Sequence, residues 1–149
     1  SHTLVRWRLL VALKTQLMTF VRGSKMEYPK KSSRHYPLTK EGIREALDTG
    51  VSGVYCILFA SFPDKRYIGS SKSMRARLMS HLNKFSKGQH KNRQMNGIYK
   101  QWPAEARFYI VQECDETECR KLEQVLIDFT PPNKLYNTDT FVFSYKRRK

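Results

Sequence analysis

The chain has 149 residues, enough to bury the core of one domain and little more. Hydrophobic residues make up 40% of it, which excludes a disordered chain, and no apolar run is long enough to span a bilayer. Against 13 Asp and Glu stand 28 Lys and Arg, a formal net charge of +15 that costs self-repulsion unless a polyanion uses it.

Residues Thr3–Val21 predict a helix: Leu4, Val5, Leu9, Ala12, Leu13 and Leu17 recur near helical spacing, and Gly23 can end it. It reads as a cover for an apolar edge of the domain rather than a membrane-surface helix, which needs more positive charge on its polar face. Ser24–Pro37 is polar and basic, a linker or a loop lying on a polyanion. Leu38–Leu47 predicts a short helix, with Thr39 as N-cap and Gly50 after its end. Val54–Phe59 and Arg66–Ile68 are β-prone runs around a turn at Ser61–Lys65, a hairpin signal weakened by the length of its loop.

A helix follows from Ser73, its N-cap, to about Phe85, and gathers Met74, Arg77, Leu78, His81, Leu82 and Phe85 on one side. Ser86–Lys91 is a basic turn through Gly88. Asn92–Gln101 is a second, weaker helix that Pro103 closes. Arg107–Val111 is a strand with apolar bulk on both faces, hence central. Asp115 and Glu118 are spaced as a capping box, and the helix they open places Cys119, Leu122, Leu126 and Phe129 on one stripe until Pro131-Pro132 stops it. Leu135–Asn137 packs back irregularly, and Phe141–Tyr145 adds an edge strand or an extended tail. The expected fold is α+β, a small antiparallel three-stranded sheet flanked by helices with a helical extension before it.

Chemistry concentrates in the middle. From Lys65 to Lys100 there are ten Lys or Arg and no acid, a one-sided footprint that makes nucleic acid the leading partner. Tyr55 and Tyr67 sit in strands beside Gly53 and Gly69, which allow close backbone approach. Arg77 and His81 stand at i,i+4 and share a helix face, so both tyrosines, the arginine and the histidine can meet in one cleft. Each pair also has a plainer reading, as core tyrosines and as a solvated basic face.

Glu123 sits between Leu122 and Leu126, away from the acids that the helix start explains. A carboxylate beside an apolar stripe is costly unless a cation or a hydrogen-bond donor meets it. Mg²⁺ or Mn²⁺ with waters and a phosphate oxygen suits it, and a surface pairing with Lys121 or Arg120 is the alternative. Cys56, Cys114 and Cys119 form an odd set with no C-x-x-C spacing. They argue against a zinc site and for a reducing, intracellular compartment.

Gly53-Val54-Tyr55, then eleven residues, then Tyr67-Ile68-Gly69 resembles the signature of the GIY-YIG nuclease family. Arg77 and His81 match the arginine and histidine of that family's first long helix, Glu123 in K-L-E-Q-V-L-I-D resembles its metal-binding glutamate, and Asn137 in L-Y-N matches the asparagine closing the domain. The stretch from Ser86 to Tyr99 and F-Y-I at 108–110 is similar to the homing-endonuclease branch. Val54 stands where the family usually has isoleucine.

The resemblance implies a nuclease domain over 51–138, between an extension and basic linker over 1–50 and a basic tail over 139–149. It implies a DNA endonuclease using one Mg²⁺ or Mn²⁺ on double-stranded or branched DNA, inside the cell and associated with its DNA. It also implies the roles. Tyr55 is the general base or positions the attacking water, Tyr67 holds the phosphate or the water, and Arg77 neutralises the developing charge. His81 contacts Tyr55 or the phosphate, or is itself the base. Glu123 carries the metal, and Asn137 braces the cleft. Lys72, Arg75, Lys84 and Lys91 are expected to grip backbone phosphates. A module of the same fold that binds DNA without cutting it is the alternative, and an RNA-directed enzyme is a third class. One active site cuts one strand, so a double-strand cut needs a dimer, two encounters or reorientation, and the sequence is compatible with a monomer or a transient dimer.

Overall fold

The structure, a computed structural model, describes residues 34–142. The elements in order are β1 (Tyr36–Pro37), α1 (Lys40–Ala46), β2 (Gly53–Phe59), β3 (Phe62–Ser71), α2 (Met74–Ser86), α3 (Arg93–Gln101), β4 (Ala106–Glu113) and α4 (Glu116–Asp128). Short 3₁₀ turns at Pro103–Glu105 and Pro132–Lys134 precede β4 and follow α4. The predicted helix over Thr3–Val21 and the basic end Lys146–Lys149 lie outside the described residues.

The fold is α+β, with one antiparallel four-stranded sheet in the order β1-β4-β2-β3. Central β2 is buried along its whole length, which is why its sequence is a continuous apolar run. Its alternate residues serve opposite faces. Tyr55, Ile57 and Phe59 join Met74, Leu78 and Phe85 of α2, Met95 of α3 and Ile43 of α1. Val54 and Cys56 join Ile68, Val111 and the apolar side of α4. Three helices therefore cover one face of the sheet and α4 the other.

Several expectations shift in detail. The sheet gains a fourth strand because Tyr36 and Pro37, read as the end of a linker, pair with Phe108 and Arg107. Leu38, Ile43 and Leu47 follow them into the core. The hairpin turn is Ala60-Ser61, since Phe59 already pairs with Phe62. Pro63 and Asp64 lie inside β3, where proline is tolerated because β3 is an edge strand. On α4 the buried side is Cys119, Leu122, Glu123, Val125 and Ile127, while Phe129 is exposed. Phe141 and Val142 form no strand.

Caps behave as their residue types dictate. Thr39, Asn92 and Asp115 accept backbone N–H bonds from Gly42, Met95 and Glu118. Ser73 makes no side-chain cap; its backbone N–H donates to Ser71 Oγ at 3.0 Å. Gly88 ends α2 with φ of 67°, a backbone few other residues accept. Cys114 and Cys119, from the set read as fitting a reducing compartment, are joined as a disulfide, because the turn into α4 brings their Cα atoms to 5.6 Å. Cys56 is a free, buried thiol. No helix among the described residues is long and apolar enough to cross a membrane.

Candidate active site

Tyr55 reaches the site from the middle of β2 by crossing its partner strand. It pairs with Gly69, and a Cβ there would lie 2.6 Å from the Tyr55 hydroxyl oxygen. Only glycine lets the ring lie flat across β3 with its hydroxyl toward α2. That hydroxyl is 2.8 Å from Nε2 of His81. Tyr67, on the same face of β3, meets the His81 ring edge-on at 5.3 Å between centroids. Arg77, one turn before His81 on α2, lines the cleft beside them.

His81 also meets a second imidazole along the cleft wall. Its Nδ1 is 2.7 Å from Nε2 of His90, whose Nδ1 accepts the backbone N–H of Asn92 at 3.0 Å. Burial, then the neighbouring His90, Arg77 and Lys84, pull His81 down from 6.5 to about 3. Burial and Lys84 pull His90 down to about 4. Both rings are neutral at physiological pH. Burial holds the Tyr55 hydroxyl well above the ordinary tyrosine value, with Tyr67 adding to the rise and Arg77 opposing it. Tyr67 is raised by burial and by Glu123, and Arg77 again opposes.

Glu123 belongs to α4, on the opposite face of the sheet from α2. It nevertheless lines the same cleft as Tyr67, Arg77 and His81, because β3 is the sheet's last strand and α4 packs along it. Its Oε1 accepts a hydrogen bond of 2.5 Å from Ser70 Oγ, the β3 residue next to Gly69. The side chain pairs with neither Lys121, which meets Glu118, nor any other cation among the described residues. Burial raises its carboxyl to about 7, with Asp139 adding to the rise and Ser70, Arg120 and Arg77 opposing.

Asn137 closes this edge. Its amide donates to Ile68 O at 2.8 Å and accepts from Ile68 N–H at 2.9 Å, as a further strand would. Leu135 pairs with Arg66 just upstream, so the segment covers the free side of β3.

The cleft measures about 540 Å³. Five of the six expected residues, Tyr67, Arg77, His81, Glu123 and Asn137, line it, and the sixth, buried Tyr55, touches it through His81. Of the expected phosphate contacts, Lys84 and Lys91 line the cleft. Lys72 and Arg75 do not; they meet Glu116 at 3.7 Å and Thr49 at 3.1 Å. His90, Ser70 and Asp139 were not singled out from the sequence. His90 and Asp139 lie in turns, where no periodicity signals direction, and Ser70 is one of several serines beside the second signature.

No group of three or more His, Cys, Asp or Glu side chains converges as a metal cage among the described residues. A hard divalent cation that keeps most of its waters needs no cage. Glu123 fits it as an oxygen ligand that is buried, has no ion-pair partner among the described residues and is costly to ionise there even with Ser70 donating to it.

Residues 51–137 match the family described as the GIY-YIG catalytic domain. The chain is similar to a solved structure of the catalytic domain of intron endonuclease I-TevI, in mutant form, at 21% identity and a TM-score of 0.54, covering 63% of this chain and 99% of that one. A structure of the catalytic domain of homing endonuclease I-TevI aligns at 21% identity and a TM-score of 0.52, covering 59% and 98%. At such identity the likeness shows the shared fold. No curated protein matched.

Proposed function

Because the chain belongs to the GIY-YIG nuclease family, we propose that it is a divalent-metal-dependent DNA endonuclease working in this cleft. One observation carries the reading: Glu123, from the layer opposite α2, borders the same cleft as Arg77 and Tyr67. Carboxylate, guanidinium and phenol then face one cleft with room for a phosphodiester.

Hydrolysis of a phosphodiester needs an oriented water, relief of charge at phosphorus and support for the leaving 3′ oxygen. Arg77 pairs with the non-bridging oxygens as their charge grows. Tyr67 hydrogen-bonds the phosphate or the water. Tyr55 orients the water and takes its proton as a phenolate, which Arg77 and a donor on His81 stabilise. His81 itself is too weakly basic at about 3 to hold that proton. Glu123 would hold Mg²⁺ or Mn²⁺, which when bound supplies Lewis-acid stabilisation of the departing oxygen. Asn137 keeps the β3 edge in place, and Lys84 and Lys91 grip flanking phosphates.

The test is cleavage of supercoiled plasmid in Mg²⁺ by the wild type, Glu123→Ala and Arg77→Ala, with binding measured alongside. The expected result is nicking by the wild type and a loss of about a hundredfold or more in each variant, with DNA still bound. Cleavage that survives both changes overturns the site. Tight wild-type binding with no nicking in Mg²⁺ or Mn²⁺ identifies a binding module instead. A panel of duplex, flap and junction substrates then separates linear from branched DNA, with RNA as the control for the 2′-hydroxyl.

A further inference from the structure

His90 is a half-buried residue of the cleft wall that the chemistry above does not use. It lies between α2 and α3, in a turn whose sequence suggests only a basic loop. Its surroundings fix it closely. The ring stacks on Phe85 at 4.1 Å between centroids and 10° between planes, and Phe85 stacks in turn on Tyr99 at 5.1 Å. Nδ1 takes the Asn92 N–H, and Nε2 meets His81. Asn92 is itself anchored, as the α3 cap through Oδ1 and through a bond from its amide to Tyr136 O.

This chain of bonds has a direction. A backbone N–H can only donate, so His90 Nδ1 presents a lone pair. The one proton of neutral His90 then sits on Nε2 and points at His81 Nδ1. That nitrogen accepts, so the one proton of neutral His81 sits on Nε2 and points at the Tyr55 oxygen. Reversed, His81 Nε2 would present a lone pair and capture the Tyr55 hydroxyl proton, turning the phenol away from water. The low basicity of both rings keeps each with a single proton.

We propose that His90 is a positioning residue for the cleavage reaction: the one-way relay from Asn92 N–H through His90 holds His81 as a donor to Tyr55. The inference rests on the nuclease reading of the cleft. No group on α2, α3 or β3 other than His90 meets His81 Nδ1 among the described hydrogen bonds. With Tyr55 accepting from His81, its own proton is free to leave, and the phenolate that results already has a donor aimed at it.

The test has two arms on the full chain. Long-range ¹H–¹⁵N correlation spectra of the labelled protein report which nitrogen of each histidine carries the proton. The expected result is Nε2–H on both His81 and His90. A proton on His81 Nδ1 overturns the relay, whether or not the protein cuts DNA.

The second arm compares His90→Leu with His90→Gln, whose amide nitrogen can still donate to His81. Leucine should lower kcat by about ten- to a hundredfold with the KM for plasmid unchanged, and let both His81 tautomers appear. Glutamine should restore most of the rate and the single tautomer. Equal rates for the two variants overturn the relay. Intact tautomers in a wild type that does not cleave count instead against the nuclease reading, so the two failures are distinct.

Discussion

At the scale of single residues, the assignment of the base is a question of proton affinity. Tyr55 is held above the ordinary tyrosine value by burial, then by Tyr67, while His81 is held down to about 3. If Tyr55 takes the water's proton, only its rare phenolate is active. The cleavage rate at saturating Mg²⁺ should then climb about tenfold per pH unit between about pH 6 and 9. Single-turnover rates across that range check it, and Tyr55→Phe should be slow and lose the slope. A flat profile would make His81, already deprotonated throughout, the base.

Glu123 gives a second residue-scale prediction. Its carboxyl is raised in the fold from 4.5 to about 7, so between these values the native state binds more protons than the unfolded state. Stability of the metal-free protein contributed by this group is therefore full below pH 4.5 and falls as pH rises through 7. Glu123→Gln does not titrate and should be the more stable form at pH 8, by about 2–3 kcal/mol over its difference at pH 5. Urea unfolding at the two pH values measures this. Mg²⁺ should narrow the gap by binding only the wild-type native state. A gap that does not change with pH would mean the carboxylate is not paying for burial.

At the scale of elements, the cleft depends on the edge strand β3. Gly69 leaves room for the Tyr55 ring, Ser70 holds Glu123, and Ile68 is paired by Asn137. Asn137→Ala removes both bonds to Ile68 and should destabilise the protein by about 2 kcal/mol. The same change should cost cleavage more than DNA binding, since Lys84 and Lys91 remain. Thermal unfolding with parallel cleavage and binding assays checks both. An unchanged melting temperature would show that the Asn137 bonds do not hold the edge.

Legibility from sequence also divides by element. The Val54–Phe59 run, the α2 stripe and the Asp115 cap are local patterns, and the structure carries all three. Tyr36–Pro37 as a strand was not legible, since two residues carry no period and the pairing with β4 is made across the sheet. The hairpin turn was misplaced because Pro63 and Asp64 look like turn residues, although an edge strand tolerates them. The Arg77–His81 pairing on one helix face could be read from spacing. His90 behind His81 could not, because its position depends on how the turn after Gly88 folds back onto Phe85.

At the scale of the whole molecule, the basic balance and the paired histidines His81 and His90 set the response to solution conditions. DNA affinity should fall steeply with salt, as Lys84, Lys91 and their neighbours release counterions. His81 and His90 are depressed in the fold, so the unfolded state binds protons first as pH falls. Their contribution to stability is full above 6.5 and is lost on acidification toward about 4 and 3. Acid unfolding should therefore begin while the surface carboxylates are still ionised, a different signature from the Glu123 trend at higher pH.

The central claim is that two sides of one sheet supply one catalytic unit, with Glu123 reaching round β3 to work with Arg77. Single-turnover plasmid cleavage in Mg²⁺ by Glu123→Ala, Arg77→Ala and the double variant tests it most directly. If the residues act on one phosphate, the double variant should cleave no more than a fewfold slower than the worse single, because either loss already disables the unit. Losses that multiply fully in the double variant, or a single variant that cleaves like the wild type, would contradict the shared site.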